Sequence, residues 1–132
     1  MSAIVRFRTP DGDFAVPVEQ VTEVRLLDGL RPLPAPREGV AGLLANGDGS
    51  LTVLSILGSQ GRHVMVVDDG DLTFGLLVDE VLGVQHVDES EINPPPAGQD
   101  RAVVAGVVAG DGSLVMLLDL AVLRGRLVDD DG

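Results

Sequence analysis

The chain has 132 residues, 45% of them hydrophobic, enough for one domain that buries about two-thirds of its unfolded surface. It has no cysteine, which excludes disulfides and thiolate metal sites. Its net charge of −12 repels nucleic acid and anionic membrane at long range.

The chain opens without a basic stretch followed by an apolar core, so no secretory signal is expected. Residues 4–8 alternate apolar and basic, and Pro10-Asp11-Gly12-Asp13 then turns the chain into residues 14–18, a hairpin signal. Val18, Val21 and Val24 follow at intervals of three. A one-turn helix and a bulged strand would both point those valines inward, and periodicity does not choose between them. Pro32, Pro34 and Pro36 form a proline-rich link before the apolar stretch 40–45, the turn Gly47-Asp48-Gly49-Ser50 and a further strand.

From there the chain repeats itself. Val64-Met65-Val66-Val67, the turn Asp68-Asp69-Gly70-Asp71 and residues 72–78 form a second hairpin, followed by Val78, Val81 and Val84, again spaced by three. Phe14, Val18, Val21 and Val24 lie over Phe74, Val78, Val81 and Val84 at an offset of 60. Val40-Ala41-Gly42 lies over Val104-Ala105-Gly106 at an offset of 64, which falls to 63 past an apparently extra Asn46. Pro94-Pro95-Pro96 repeats the proline link. Residues 103–109 and 114–118 are nearly continuous apolar runs, expected for strands buried on both faces, around the turn at Gly112. Residues 119–125 can hold a short helix capped by Asp119, and residues 128–132 read as a solvated acidic tail. Matching order and spacing, with the intervening prolines, predict duplication into halves of about 1–60 and 61–128. Many short strands with Gly/Pro turns and little helix predict an all-β fold, with two small barrels packed side by side.

The residues give little basis for catalysis. There is no Cys, Lys or Tyr, and His63 and His86 read as strand-end or surface histidines. Residues 11–13 and 68–71 supply only fragments of a calcium loop, while Asp and Gly are the residues that turns require on backbone grounds. Asp79, Glu80 and Glu19 read as surface acids at strand ends. The residues suggest no metal, no cofactor and no enzymatic activity. The longest uncharged apolar stretch, residues 102–110, is half a membrane span, so no membrane insertion and a cytoplasmic location are expected. What remains is surface: an apolar groove between two barrels, able to receive a partner's helix.

Phe74-Gly75-Leu76-Leu77-Val78-Asp79-Glu80-Val81-Leu82-Gly83-Val84, then Val87, Glu91-Ile92 and the three prolines, resembles the signature of the CheW-like domain family. Residues 14–24, Leu33-Pro34, Val40-Ala41-Gly42-Leu43, Val104-Ala105-Gly106 and Leu117-Leu118-Asp119-Leu120 follow in order, so the resemblance covers about residues 4–125. It implies two SH3-like five-stranded β-barrels. It also implies a non-enzymatic adaptor of bacterial chemotaxis, joining chemoreceptor cytoplasmic tips to the regulatory domain of a CheA-type histidine kinase. Carried over by position, Val21 and Glu23 would face a receptor groove, with Gly42 and Leu44 on the following strand. Family members usually carry Asn-Leu-Arg-Gly after that strand, whereas this chain has Ala45-Asn46-Gly47-Asp48-Gly49. The arginine associated with coupling is absent, and Asp48 would repel carboxylates where it attracted them. This departure implies a retuned partner or another output such as surface motility. A β-barrel binding a small ligand or metal is the reading from another class.

Overall fold

A computed structural model describes residues 2–35, 38–55, 61–95, 103–110 and 112–128. Pro36, Pro96, Asp111 and residues 129–132 lie outside them. Ten strands and one α-helix follow in chain order: β1 (Ser2–Thr9), β2 (Gly12–Pro17), β3 (Val21–Leu26), β4 (Val40–Asn46), β5 (Gly49–Leu54), β6 (His63–Asp68), β7 (Thr73–Val78), β8 (Glu80–Val87), β9 (Val104–Gly110), β10 (Ser113–Leu118) and α1 (Leu120–Val128). They form two five-stranded sheets, β8-β1-β2-β10-β9 and β3-β6-β7-β5-β4. Each curls into an SH3-like barrel. Closure is marked by single bridges, Arg31 to Leu43 in the second barrel and Asn93 to Val107 in the first. Each bridge carries two backbone hydrogen bonds of 2.8–2.9 Å.

The barrels are not the two halves of the sequence. The first barrel takes β1 and β2 from the N-terminal half and β8, β9 and β10 from the C-terminal half, while the second is the continuous run β3 to β7. The expected boundary near residue 60 is therefore corrected: the chain crosses between barrels after β2 and again after β7. The cause is connector length. Only Asp79 separates β7 from β8, and even the tightest common hairpin needs two loop residues. Strand β8 cannot fold back on β7, so it runs on into the neighbouring sheet and pairs with β1.

Within this interleaving the duplication is accurate to single residues. Exchanging the repeats converts one sheet order into the other. Arg6 pairs with Gly83 and Phe7 with Val81, leaving Leu82 bulged. At the matching place Val66 pairs with Glu23 and Val67 with Val21, leaving Thr22 bulged. A second pair of bulges falls at Ala41 and Ala105. Asn46 pairs with Gly49 and Gly110 with Ser113. The spacing of the paired residues is thus the same in both hairpins, the structural offset stays at 64, and the apparent extra Asn46 disappears. Gly47 opens its turn at φ +60°, a conformation costly to any residue with a side chain.

The largest core lies between the barrels. Val5, Phe7, Phe14 and Val16 of the first barrel meet Met65, Val67, Phe74 and Leu76 of the second, in a buried cluster that Leu120 and Leu123 of α1 complete. Alternation along each strand explains the division. Val5 and Phe7 face this central core while Ile4 faces the smaller interior of the first barrel, and Val64 and Val66 line the interior of the second. Arg6 stands where the second barrel has Val66, with its Nη2 3.6 Å from the Asp13 carboxylate. The long apolar runs are less buried than expected, for Ala105, Ala109 and Leu114 reach solvent.

Turn chemistry accounts for the aspartates. Asp68 Oδ1 accepts from the Gly70 amide at 2.7 Å, and Asp69 Oδ1 accepts from the Asp71 and Leu72 amides at 2.9 and 3.0 Å. Burial pushes the Asp69 carboxyl up, but those two amides and the Arg124 guanidinium outweigh it and hold it below its ordinary value. Its stabilising contribution is therefore present above the unfolded carboxylate pKa of about 3.9 and is lost as pH falls through the lower folded value. Urea midpoints should show it: Asp69→Asn lowers the midpoint at neutral pH and flattens its fall in acid.

Candidate functional site

Strand β3 carries the predicted interface, and its course follows from local sequence. Pro17 ends β2, a single 3-10 turn spans Val18–Gln20, and the Val21 amide that follows it donates to the Val18 carbonyl. The strand then pairs with β6 alone. The bulge is tied down by Thr22 Oγ1, which donates to the Val66 carbonyl at 3.2 Å.

Val21 pairs with Val67 and packs half-buried against the edge of the central core. Past the bulge, Val24 pairs with Met65 and Leu26 with His63, on that same side. They reach solvent there, 43% and 70% exposed, and Val18 in the preceding turn is exposed as well. The expectation that the valines at 18, 21 and 24 all turn inward is thus corrected. The bulge and the edge position leave only Val21 against the core. On the repeat, Val81 is half-buried and Val84 is 58% exposed for the same reason. His86 is exposed as the penultimate residue of β8, in keeping with a strand-end or surface histidine.

Glu23 is exposed on the opposite side of β3, where its Oε1 lies 3.5 Å from Arg25 Nε. It heads one register row, Glu23–Val66–Gly75–Val53–Gly42, that runs across the whole sheet. Glu23 and Gly42 therefore occupy opposite edges of the five strands.

Two of the proposed interface positions belong to the scaffold. Leu44 is a buried member of the second barrel's interior with Leu51, Val53 and Val64. Gly42 is buried at φ +152°, and a Cβ placed on it would lie 2.3 Å from the Arg31 carbonyl oxygen. It is the point where the chain passes closest to itself to close the barrel. Gly42→Ala should therefore cost about 2–3 kcal/mol, read as a lowered urea midpoint with an unchanged slope. Gly106, at the matching bridge, has more room, its Cβ meeting Ile92 Cγ2 at 2.9 Å and the Asn93 oxygen at 3.0 Å, and Gly106→Ala should cost less. Asp48 is exposed in the β4–β5 turn, well along the strand from Glu23.

The structure thus keeps Val21 and Glu23 on β3 and places Gly42 and Leu44 on β4 and Asp48 in the β4–β5 turn. It adds Val24 and Leu26, of which Leu26 carried no signal in the sequence beyond being apolar next to Arg25. Among the described residues no group of three or more His, Asp or Glu could hold a metal ion, and no helix is long and apolar enough to cross a membrane.

The family described as CheW-like domain matches residues 3–126. Protein FrzA of Myxococcus xanthus is 32% identical over 118 residues, covering 81% of this chain and 74% of FrzA. The crystal structure of scaffolding protein TtCheW from Thermoanaerobacter tengcongensis superposes with a TM-score of 0.82 at 24% identity, over 90% of this chain and 84% of that one.

Proposed function

The chain belongs to the CheW-like domain family of signalling scaffolds, and from that premise we propose that it couples chemoreceptors to a CheA-type histidine kinase. The observation that carries the reading is the exposed apolar pair Val24 and Leu26, on the same side of β3 as half-buried Val21, with exposed Val18 in the turn that leads into the strand. An exposed row along a strand edge suits a partner helix that presents its own apolar face. The adaptor does no chemistry. It holds two partners in a set relation, and a receptor shift alters the kinase's conformational balance through whichever arrangement the adaptor binds more tightly.

The test is a titration of the purified chain against the regulatory domain of a CheA-type kinase and, separately, against a receptor tip fragment. Saturable binding to both is expected, and failure to bind either at high micromolar concentration overturns the reading.

A further inference from the structure

Helix α1 leaves the first barrel directly after β10, yet its charged grip is on the second. Asp119 starts it, accepting from the Val122 amide through Oδ1 at 3.2 Å while its own amide donates to the Val103 carbonyl at 2.8 Å. Leu120 and Leu123 then enter the central core. One residue on, Arg124 Nε donates to Asp69 Oδ2 and Arg124 Nη2 lies 3.5 Å from Asp71 Oδ2. Both acids belong to the turn between β6 and β7.

The repeat supplies an internal control. The matching turn of the first barrel is built on Thr9, 3% exposed, whose Oγ1 accepts from the Asp11 amide at 3.1 Å. Asp69 Oδ1 does the same for the Asp71 amide at 2.9 Å. A hydroxyl thus suffices for the first of these amides, whereas the Leu72 amide that Asp69 Oδ1 also holds at 3.0 Å has no counterpart at Thr9, whose Oγ1 donates to the Gly12 carbonyl instead. The Asp69 side chain is nevertheless a carboxylate, 3% exposed, and a charge so placed is costly unless it is paired. Its Oδ1 serves the turn, and its Oδ2 serves Arg124. The turn amides satisfy one carboxylate oxygen, and the helix supplies the cation that pairs the charge through the other.

We propose that Asp69 and Arg124 are positioning residues: the pair makes α1 a strap that fixes the second barrel against the first. Two partners held by different barrels then stay in register with each other. This functional consequence rests on the adaptor reading; the strap itself does not.

The chain has no cysteine, so Leu26→Cys on the second barrel and Leu114→Cys on the first give two unique spin-label sites, both well exposed. Pulsed dipolar spectroscopy then reads the distance between barrels. Asp69→Thr, which keeps the turn's acceptor, should broaden the distance distribution about twofold or more, as should Arg124→Gln. The double variant should broaden it no further, and Arg124→Lys should restore most of the parent's narrow width. Arg8→Ala, which removes the 3.0 Å contact to Asp13 inside the first barrel, should leave it unchanged. Should Asp69→Thr fail to fold, the surface variant Arg124→Gln carries the test alone. A folded Arg124→Gln protein with the parent's width overturns the strap, whatever the partners do.

In the unlabelled protein Asp69→Thr should leave each partner's separate affinity within about twofold, while the effect of one partner on the other's affinity is lost. Broadened distances in a protein whose parent binds neither partner would uphold the strap and overturn the adaptor reading. Partner binding with unchanged distances would do the reverse.

Discussion

Replacing Phe74 with alanine should remove about 3–5 kcal/mol of stability, a large share of what a domain of this size holds. Phe74 is fully buried in the core between the barrels, among Phe14, Met65, Val67 and Leu76. Truncation leaves a cavity that surrounding strands, fixed by their ladders, fill only in part. The loss should be felt in both barrels. Each sheet draws strands from both repeats, and the central core draws side chains from both sheets. Hydrogen exchange should accordingly show β9 amides of the first barrel and β5 amides of the second losing protection together. Protection lost in the second barrel alone would contradict a shared core. Leu26→Ala, at an exposed position, should change stability by no more than about 0.5 kcal/mol.

The second large effect is on binding. Leu26→Arg should weaken capture of the receptor tip about 30-fold or more while leaving the urea midpoint unchanged, because Leu26 contributes surface and little core. Val24→Arg should act similarly. Val21→Arg is a poorer probe, since Val21 packs on the central core and the substitution would disturb folding as well. Val84→Arg on β8 is the informative control. It places the same charge at the repeat's counterpart of Val24, so a receptor that reads β3 should be indifferent to it. Equal losses from Leu26→Arg and Val84→Arg would show that the fold, and not this row, is what the variants damage.

Much of the architecture was legible in the residues themselves. Hairpins were marked by Gly12 and Gly70 beside aspartates, where backbone conformation restricts the choice of residue. Asp119 was readable as a cap because a helix start needs a side-chain acceptor within its first turn. The duplication was readable because both repeats solve the same local problems with the same residue types. The candidate site was legible only in part. Val21 and Glu23 share β3 with the exposed Val24 and Leu26, but Gly42 and Leu44 are spent on closing and filling the second barrel. A valine every third residue signals that apolar side chains are wanted. It does not say where a bulge will redirect them, and that depends on how Thr22 meets Val66.

By itself the sequence determined the strands, their turns, their twofold repetition and the family to which the chain belongs, since each is encoded within a few consecutive residues or in their order. Only the tertiary structure decided which strands share a barrel, because the one residue between β7 and β8 forbids a hairpin and sends the chain into the other sheet. It alone decided that Val24 and Leu26 face solvent, and that Asp69 meets Arg124, 55 residues away. Contacts at such separation arise from packing of whole elements, which no local pattern specifies.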